Sequence, residues 1–281
     1  VMLQLHLNYA GYCLARESHA IRGGLRKDIR FYALWGLIKH PEHGYILYDT
    51  GYTQRFYEAT KSWPSKIYAI ATKVKIDPSE EVTAQLIRQG IQPEEIRHII
   101  VTHLHADHVG GLKDFPNATC YISHVALDQY DSLSYTWAFT KGVLKEMVPG
   151  DITARTKVIE DNCKSTDHTI LGKTYDLFGD GSIRLVPLPG HAAGQIGVLM
   201  STAKQSYFLV ADACWLKRSY EEYILPSPIV QLFFHSWDAY KESLQRVHRF
   251  HLAHPEVMIV PTHCQESTDP LVRDVIDWNA L

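Results

Sequence analysis

Ile96-Arg97-His98-Ile99-Ile100-Val101 runs without a break into Thr102-His103-Leu104-His105-Ala106-Asp107-His108-Val109-Gly110-Gly111-Leu112. The first six residues are mostly apolar and branched, so they read as a buried strand. The strand ends in four potential metal ligands within six residues: His103, His105, Asp107 and His108. Imidazole is the commonest metal-binding side chain. In extended backbone, residues i and i+2 point the same way, so His103 and His105 can share one ion. Asp107 is offset and His108 points elsewhere, which suits a second ion. The plainer alternative is a polar loop of solvated histidines. Four residues cannot saturate two ions, so further donors have to come from elsewhere in the chain.

Working outward, Phe31 to Ile38 and Tyr45 to Tyr48 read as a hairpin that stops at Asp49-Thr50-Gly51. Residues 54–76 are aromatic-rich and broken at Pro64, an irregular or short-helical excursion suited to covering a site. Asp77-Pro78-Ser79-Glu80 carries the signals of a helix start, Val82, Leu86 and Ile87 give an apolar stripe, and Gly90 ends it. Thr119 to Ile122 reads as the next strand. In the second half, Ile183 to Leu188 is a strand that ends at Pro189-Gly190-His191. Ile196–Met200 and Tyr207–Val210 form a second hairpin, ending at Ala211-Asp212. Ser236 caps a helix from Trp237 to about His251. Val257 to Val260 is the last strand, ending at Pro261-Thr262-His263, and a short helix from Leu271 to Trp278 closes the chain. Cys163 and His168 fall in a stretch read as polar loop. His191, Asp212 and His263 each follow an apolar strand, where open α/β sheets place their sites.

Composition narrows the classes. The 281 residues carry 28 basic and 31 acidic side chains, a formal net charge of −3, with no Lys/Arg cluster. That disfavours nucleic acid and anionic membrane as partners and leaves a small-molecule substrate. Five scattered cysteines form no C-x-x-C pair, which argues against a disulfide framework and for a reducing, cytoplasmic setting. The first residues lack the layout of a signal peptide, although an exported form with its leader already removed would look the same. Residues 1–281 read as one domain.

The run at 102–112 resembles the signature of the metallo-β-lactamase superfamily. The resemblance extends along most of the chain, through Tyr48-Asp49-Thr50-Gly51, Pro189-Gly190-His191-Ala192-Ala193-Gly194, Val210-Ala211-Asp212-Ala213 and Pro261-Thr262-His263. It implies an α/β fold, a four-layer αβ/βα sandwich with the site at one edge between two β-sheets. Carried over motif by motif, His103, His105 and His191 would hold one metal. Asp107, His108 and His263 would hold the other, and Asp212 would bridge them. Two divalent ions are implied, zinc first, with iron, manganese or cobalt as alternatives. True β-lactamases of the superfamily carry cysteine at the bridging position, and its redox members replace the second histidine by glutamate. Asp212 and His105 therefore point to hydrolysis of something other than an antibiotic.

The expected chemistry is attack by a metal-bridging hydroxide, with Asp107 beside it as a proton shuttle and Asp212 setting the metal separation. Asp49 is expected to orient a ligand histidine. The layout is most similar to the lactonase branch, including the quorum-quenching enzymes that open N-acyl homoserine lactones, so an ester or lactone hydrolase is the leading expectation. A glyoxalase II-like thioester hydrolase and a non-catalytic metal or ligand sensor are the alternatives. The lactonase branch places a tyrosine three residues after the bridging aspartate; this chain has Trp215. Indole donates one hydrogen bond and cannot act as an acid. Tyr220 and Tyr223 are candidates to substitute for that tyrosine. Residues 224–234, including Phe233 and Phe234, suit an apolar wall for the substrate; they equally suit core packing or a homodimer contact.

Overall fold

The computed structural model describes residues 2–281; Val1, the first residue of the expected domain, lies outside them. Seven strands form the first sheet: β1 (Gln4–Arg16), β2 (Asp28–His40), β3 (Gly44–Tyr48), β4 (Val74–Lys75), β5 (Ile96–Ile100), β6 (Thr119–Ile122) and β7 (Thr156–Val158). Six form the second: β8 (Lys164–His168), β9 (Gly172–Asp176), β10 (Ile183–Pro187), β11 (Ile196–Ser201), β12 (Ser206–Ala211) and β13 (Val257–Pro261). The spatial orders are β4-β1-β2-β3-β5-β6-β7 and β13-β12-β11-β10-β9-β8.

Pairing follows connection length. β2 and β3 are joined by a tight turn and run antiparallel, with Ile38 opposite Ile46; β11 and β12 do the same. Parallel neighbours need a longer crossover. The helix Val82–Arg88 lies in the β3-to-β5 connection, His124–Ser132 between β6 and β7, and Trp237–Ala253 between β12 and β13. Between the sheets Leu5, Leu7, Tyr48 and Ile100 pack against Leu185, Val198, Leu209 and Val260, all buried. On the outer face of the first sheet Leu47, Ile99 and Cys120 meet Val82 and Leu86 of a crossover helix. On the outer face of the second, Val186 and Phe208 meet Tyr240, Leu244, Val247 and Phe250 of the long helix. Helix, sheet, sheet, helix is the four-layer sandwich expected.

Four local expectations change. Asp77 does cap through its carboxylate, which accepts from the Ser79 N–H at 2.9 Å, but the turn it caps is a short 3-10 segment and the α-helix begins only at Val82. Ile87 is exposed, so the buried stripe is Val82 and Leu86. The stretch holding Cys163 and His168, read as polar loop, opens the edge hairpin β8–β9, with Cys163 just before it and His168 at its turn. Its outer face is polar, which hides the alternation, and His168 Nδ1 closes the turn by accepting from the Ile170 and Leu171 N–H groups. No helix forms over 271–278; the last helix is Gln265–Thr268, and Val272 instead bridges to Leu7 of β1. The apolar spacing there comes from docking irregular chain on the first sheet.

Gly110 accounts for the glycine pair after His108. A Cβ there would stand 2.4 Å from the Gly51 carbonyl oxygen, so the turn after β3 and the turn after β5 can touch only without a side chain at 110.

Candidate metal centre

Five strands deliver the site, all at their carboxyl ends. β5 leads into His103 to His108, β10 into His191, β12 into Asp212, β13 into His263, and β3 into Asp49. Two of these exits are strained: Asp49 and Ala211 have φ of +53° and +50°, a left-handed conformation that non-glycine residues seldom adopt outside functional sites.

The donor atoms fall into two sets, each within 4.8 Å: His103, His105 and His191; and Asp107, His108, Asp212 and His263. His105 Nδ1 lies 3.1 Å from His191 Nε2. His263 Nε2 lies 3.1 Å from Asp212 Oδ2 and 3.2 Å from Asp107 Oδ2. His108 Nε2 is 3.4 Å from Asp107 Oδ2. Asp212 Oδ2 is also 3.2 Å from His191 Nε2, so Asp212 stands where the two sets meet. His103 Nε2, His108 Nε2 and Asp212 Oδ1 are buried with no hydrogen-bond partner. Orphaned buried polar atoms are costly, and three of them converging inside a cluster of imidazoles and carboxylates fit a pair of divalent cations.

The outward nitrogens are held in place. His108 Nδ1 faces Asp49 Oδ2 at 2.7 Å. Asp49 is itself fixed by the Thr102 N–H and hydroxyl, at 2.9 and 2.8 Å. His263 Nδ1–H donates to the Tyr32 carbonyl at 2.8 Å, and its ring stacks on Phe31 with centroids 4.8 Å apart. His105 is braced by Gly142, a left-handed residue at φ +73°, where a Cβ would lie 2.8 Å from His105 Nε2. Burial and the neighbouring His191 push His105 down to about 3; burial and His108 hold His103 well below the ordinary histidine value. Both are neutral donors at physiological pH. Burial opposes ionisation of Asp107 and Asp212, but the facing histidines win and both stay well below the usual carboxylate range. In the second set His263 is raised to about 10, against its burial, by Asp212 and Asp107. A cation entering there displaces a proton.

The centre forms the floor of a cleft of about 500 Å³. Its walls include Ile67 and Tyr68 from the 54–76 excursion, Phe139 and Thr140, and Trp215 and Leu232 through Phe234. No Lys or Arg lines it. Trp215 donates its indole N–H to Asp212 Oδ2 at 3.4 Å. Phe234 sits edge-on to His191 and Trp215, at 5.0 and 5.3 Å, while Phe233 is exposed at the mouth. Tyr220 and Tyr223 are not among the lining residues. Tyr220 borders a separate depression with His251 and Met258, and the Tyr223 hydroxyl donates to the Lys241 carbonyl at 3.3 Å. The helix Lys217–Glu222, which ends at Tyr223 as its left-handed cap, carries both rings onto the long helix. Tyr68, Phe139, Gly142 and Phe31 at this site had no sequence signal of their own.

A four-layer sandwich with convergent histidines and aspartates at the seam defines a metal-dependent hydrolase. The metallo-β-lactamase superfamily model matches residues 29–250, and the chain belongs to that superfamily. It is 24% identical over 220 residues to an N-acyl homoserine lactonase of Bacillus cereus, covering 78% of this chain and 79% of the relative. Among solved structures it superposes on an N-acyl homoserine lactone hydrolase with N-hexanoyl-L-homoserine bound at its metal centre, at TM-score 0.75 and 19% identity, over 96% of each chain. It also matches AidC, a dizinc quorum-quenching lactonase, at TM-score 0.63 and 16% identity over 93% of this chain and 87% of that one.

Proposed function

We propose that the chain is a dizinc lactonase that opens an uncharged lactone carrying an apolar acyl chain, an N-acyl homoserine lactone being the leading candidate. The observation that carries this is the placement of two buried ligand sets at the floor of a cleft with apolar walls and no fixed positive charge. Such a wall favours an acyl chain and offers nothing to a phosphodiester or to the carboxylates of a glutathione thioester. The named relatives and structural neighbours are lactonases, which supports the same reading. His103, His105 and His191 would hold one ion; Asp107, His108 and His263 would hold the other, with Asp212 between them. The ions would supply an activated water near neutral pH and polarise the scissile carbonyl. Asp107 would accept the proton of the attacking water and return it to the leaving oxygen. Phe139, Trp215, Leu232, Phe233 and Phe234 exclude water and seat the acyl chain.

Purified, zinc-loaded protein should hydrolyse N-acyl homoserine lactones faster than simple aryl esters, with kcat/KM rising with acyl length. The same panel includes a glutathione thioester and a phosphodiester. Turnover confined to either of those, or turnover of nothing with zinc bound, would refute the reading.

A further inference from the structure

Ester hydrolysis builds negative charge on the carbonyl oxygen, and a hydrogen-bond donor aimed at that oxygen lowers the barrier. Three aromatic side chains with an O–H or indole N–H line the cleft: Tyr52, Tyr68 and Trp215. Two are not free to meet a substrate: the Trp215 N–H points to Asp212 Oδ2, and Tyr52 is buried. Tyr68 differs from both. Its hydroxyl has no hydrogen-bond partner among the described residues, and Tyr68 lines the same cleft as Asp107 and Asp212. The rest of the side chain is anchored: the ring packs edge-to-face on Phe56 at 5.5 Å, and the backbone carbonyl accepts from the Thr72 N–H at 2.7 Å. A phenol held by its ring and left unpaired at its oxygen is solvated while the cleft is open. Once an apolar substrate expels the water, that donor costs free energy unless an acceptor replaces it.

We propose that the Tyr68 hydroxyl donates a hydrogen bond to the scissile carbonyl oxygen of the substrate and strengthens that bond as charge develops. The proposal rests on the hydrolase function above. In the reaction the water oxygen bonds to the carbonyl carbon and the ring C–O bond breaks. The water's proton passes to the departing alkoxide, and the product is the ring-opened hydroxy acid. Tyr68 keeps its own proton throughout; it is a donor and not the acid. Because it rides on the helix Lys66–Ala71 and not on the strand exit that carries Trp215, the donor and the ligand cluster are brought together only by the packing of the excursion over the cleft.

The test is Tyr68→Phe, which keeps the ring against Phe56 and removes one oxygen. With zinc content and thermal unfolding equal to wild type, kcat on N-hexanoyl homoserine lactone should fall on the order of ten- to a hundredfold, as for loss of one transition-state donor, while KM changes less than about threefold. A second readout needs no turnover: the zinc-loaded variant should bind the ring-opened N-hexanoyl homoserine about tenfold more weakly by calorimetry, since its carboxylate retains the acceptor. An unchanged kcat, or a rise in KM alone, overturns the assignment and leaves the hydrolase function standing. A wild-type protein that turns over nothing in the panel overturns the function and the role of Tyr68 with it.

Discussion

Asp49 shows how much one residue outside the ligand sets can decide. It is fully buried, strained in φ, and bonded on one side to Thr102 and on the other to His108 Nδ1. Burial raises its pKa, and His108 and the Thr102 hydrogen bonds act against that rise. Asp49→Ala leaves the His108 ring free to turn and takes away the carboxylate that raises its basicity. Affinity for the second ion should fall roughly 10- to 100-fold, read by metal analysis after competition with a chelator; two tightly held equivalents in the variant would show that the ring is fixed by other contacts. Asp49 was legible in the sequence because it ends an apolar strand in a sharp polar stop. Tyr68 was not. Tyrosine is common in any core, and nothing local tells a cleft hydroxyl from a packed one.

At the scale of elements, the strand exits were readable, as were two covering segments, 54–76 and 224–234, while the third was not. An apolar run followed at once by a polar donor is a strong local pattern, and β5, β10, β12 and β13 all display it. The segment 133–148, which brings Phe139 and Gly142 to the site, is short 3-10 turns and loop, with no period to detect. Its importance rests on one backbone position. Gly142 is left-handed and touches the His105 ring, so Gly142→Ala both strains the turn and displaces a donor. The expected result is a folded protein that retains about one equivalent of metal, lost from the set containing His105. A variant with two equivalents and normal activity would mean that the loop yields instead of the ring. Tyr220 and Tyr223 make the converse point: eight and eleven residues after Asp212, they are near in sequence but are carried away by the helix between them.

For the molecule as a whole, acid should act through histidines that burial keeps neutral, two of which, His6 and His98, lie outside the ligand sets. His6 is buried beside Trp35, and His98, midway along β5, is half-buried against Tyr121 and Phe178; burial lowers both to about 4. Their ordinary value is 6.5. Between pH 6.5 and 4 the unfolded chain therefore binds protons that the folded chain does not, and stability falls as pH falls through that window. In the chelated protein, urea midpoints should decline from pH 6.5 to 4, and the double variant His6→Gln, His98→Gln should show a shallower slope; an equal slope would place the acid sensitivity elsewhere. Neither role could be read beforehand, since an isolated histidine carries no sign of whether its ring will be enclosed.

The two ligand sets divide the chain unequally but share one property. Each draws on the β5 exit of the first sheet and on the second sheet's strand exits, so a cation held by either set would be a stitch across the seam of the sandwich. A slip of one sheet past the other by a single residue, about 3.3 Å, would undo both stitches. Catalytic competence thus doubles as a certificate of assembly: a chain with only its first half folded holds four of the seven donors and completes neither set. The reactive centre exists only once both halves have closed on each other.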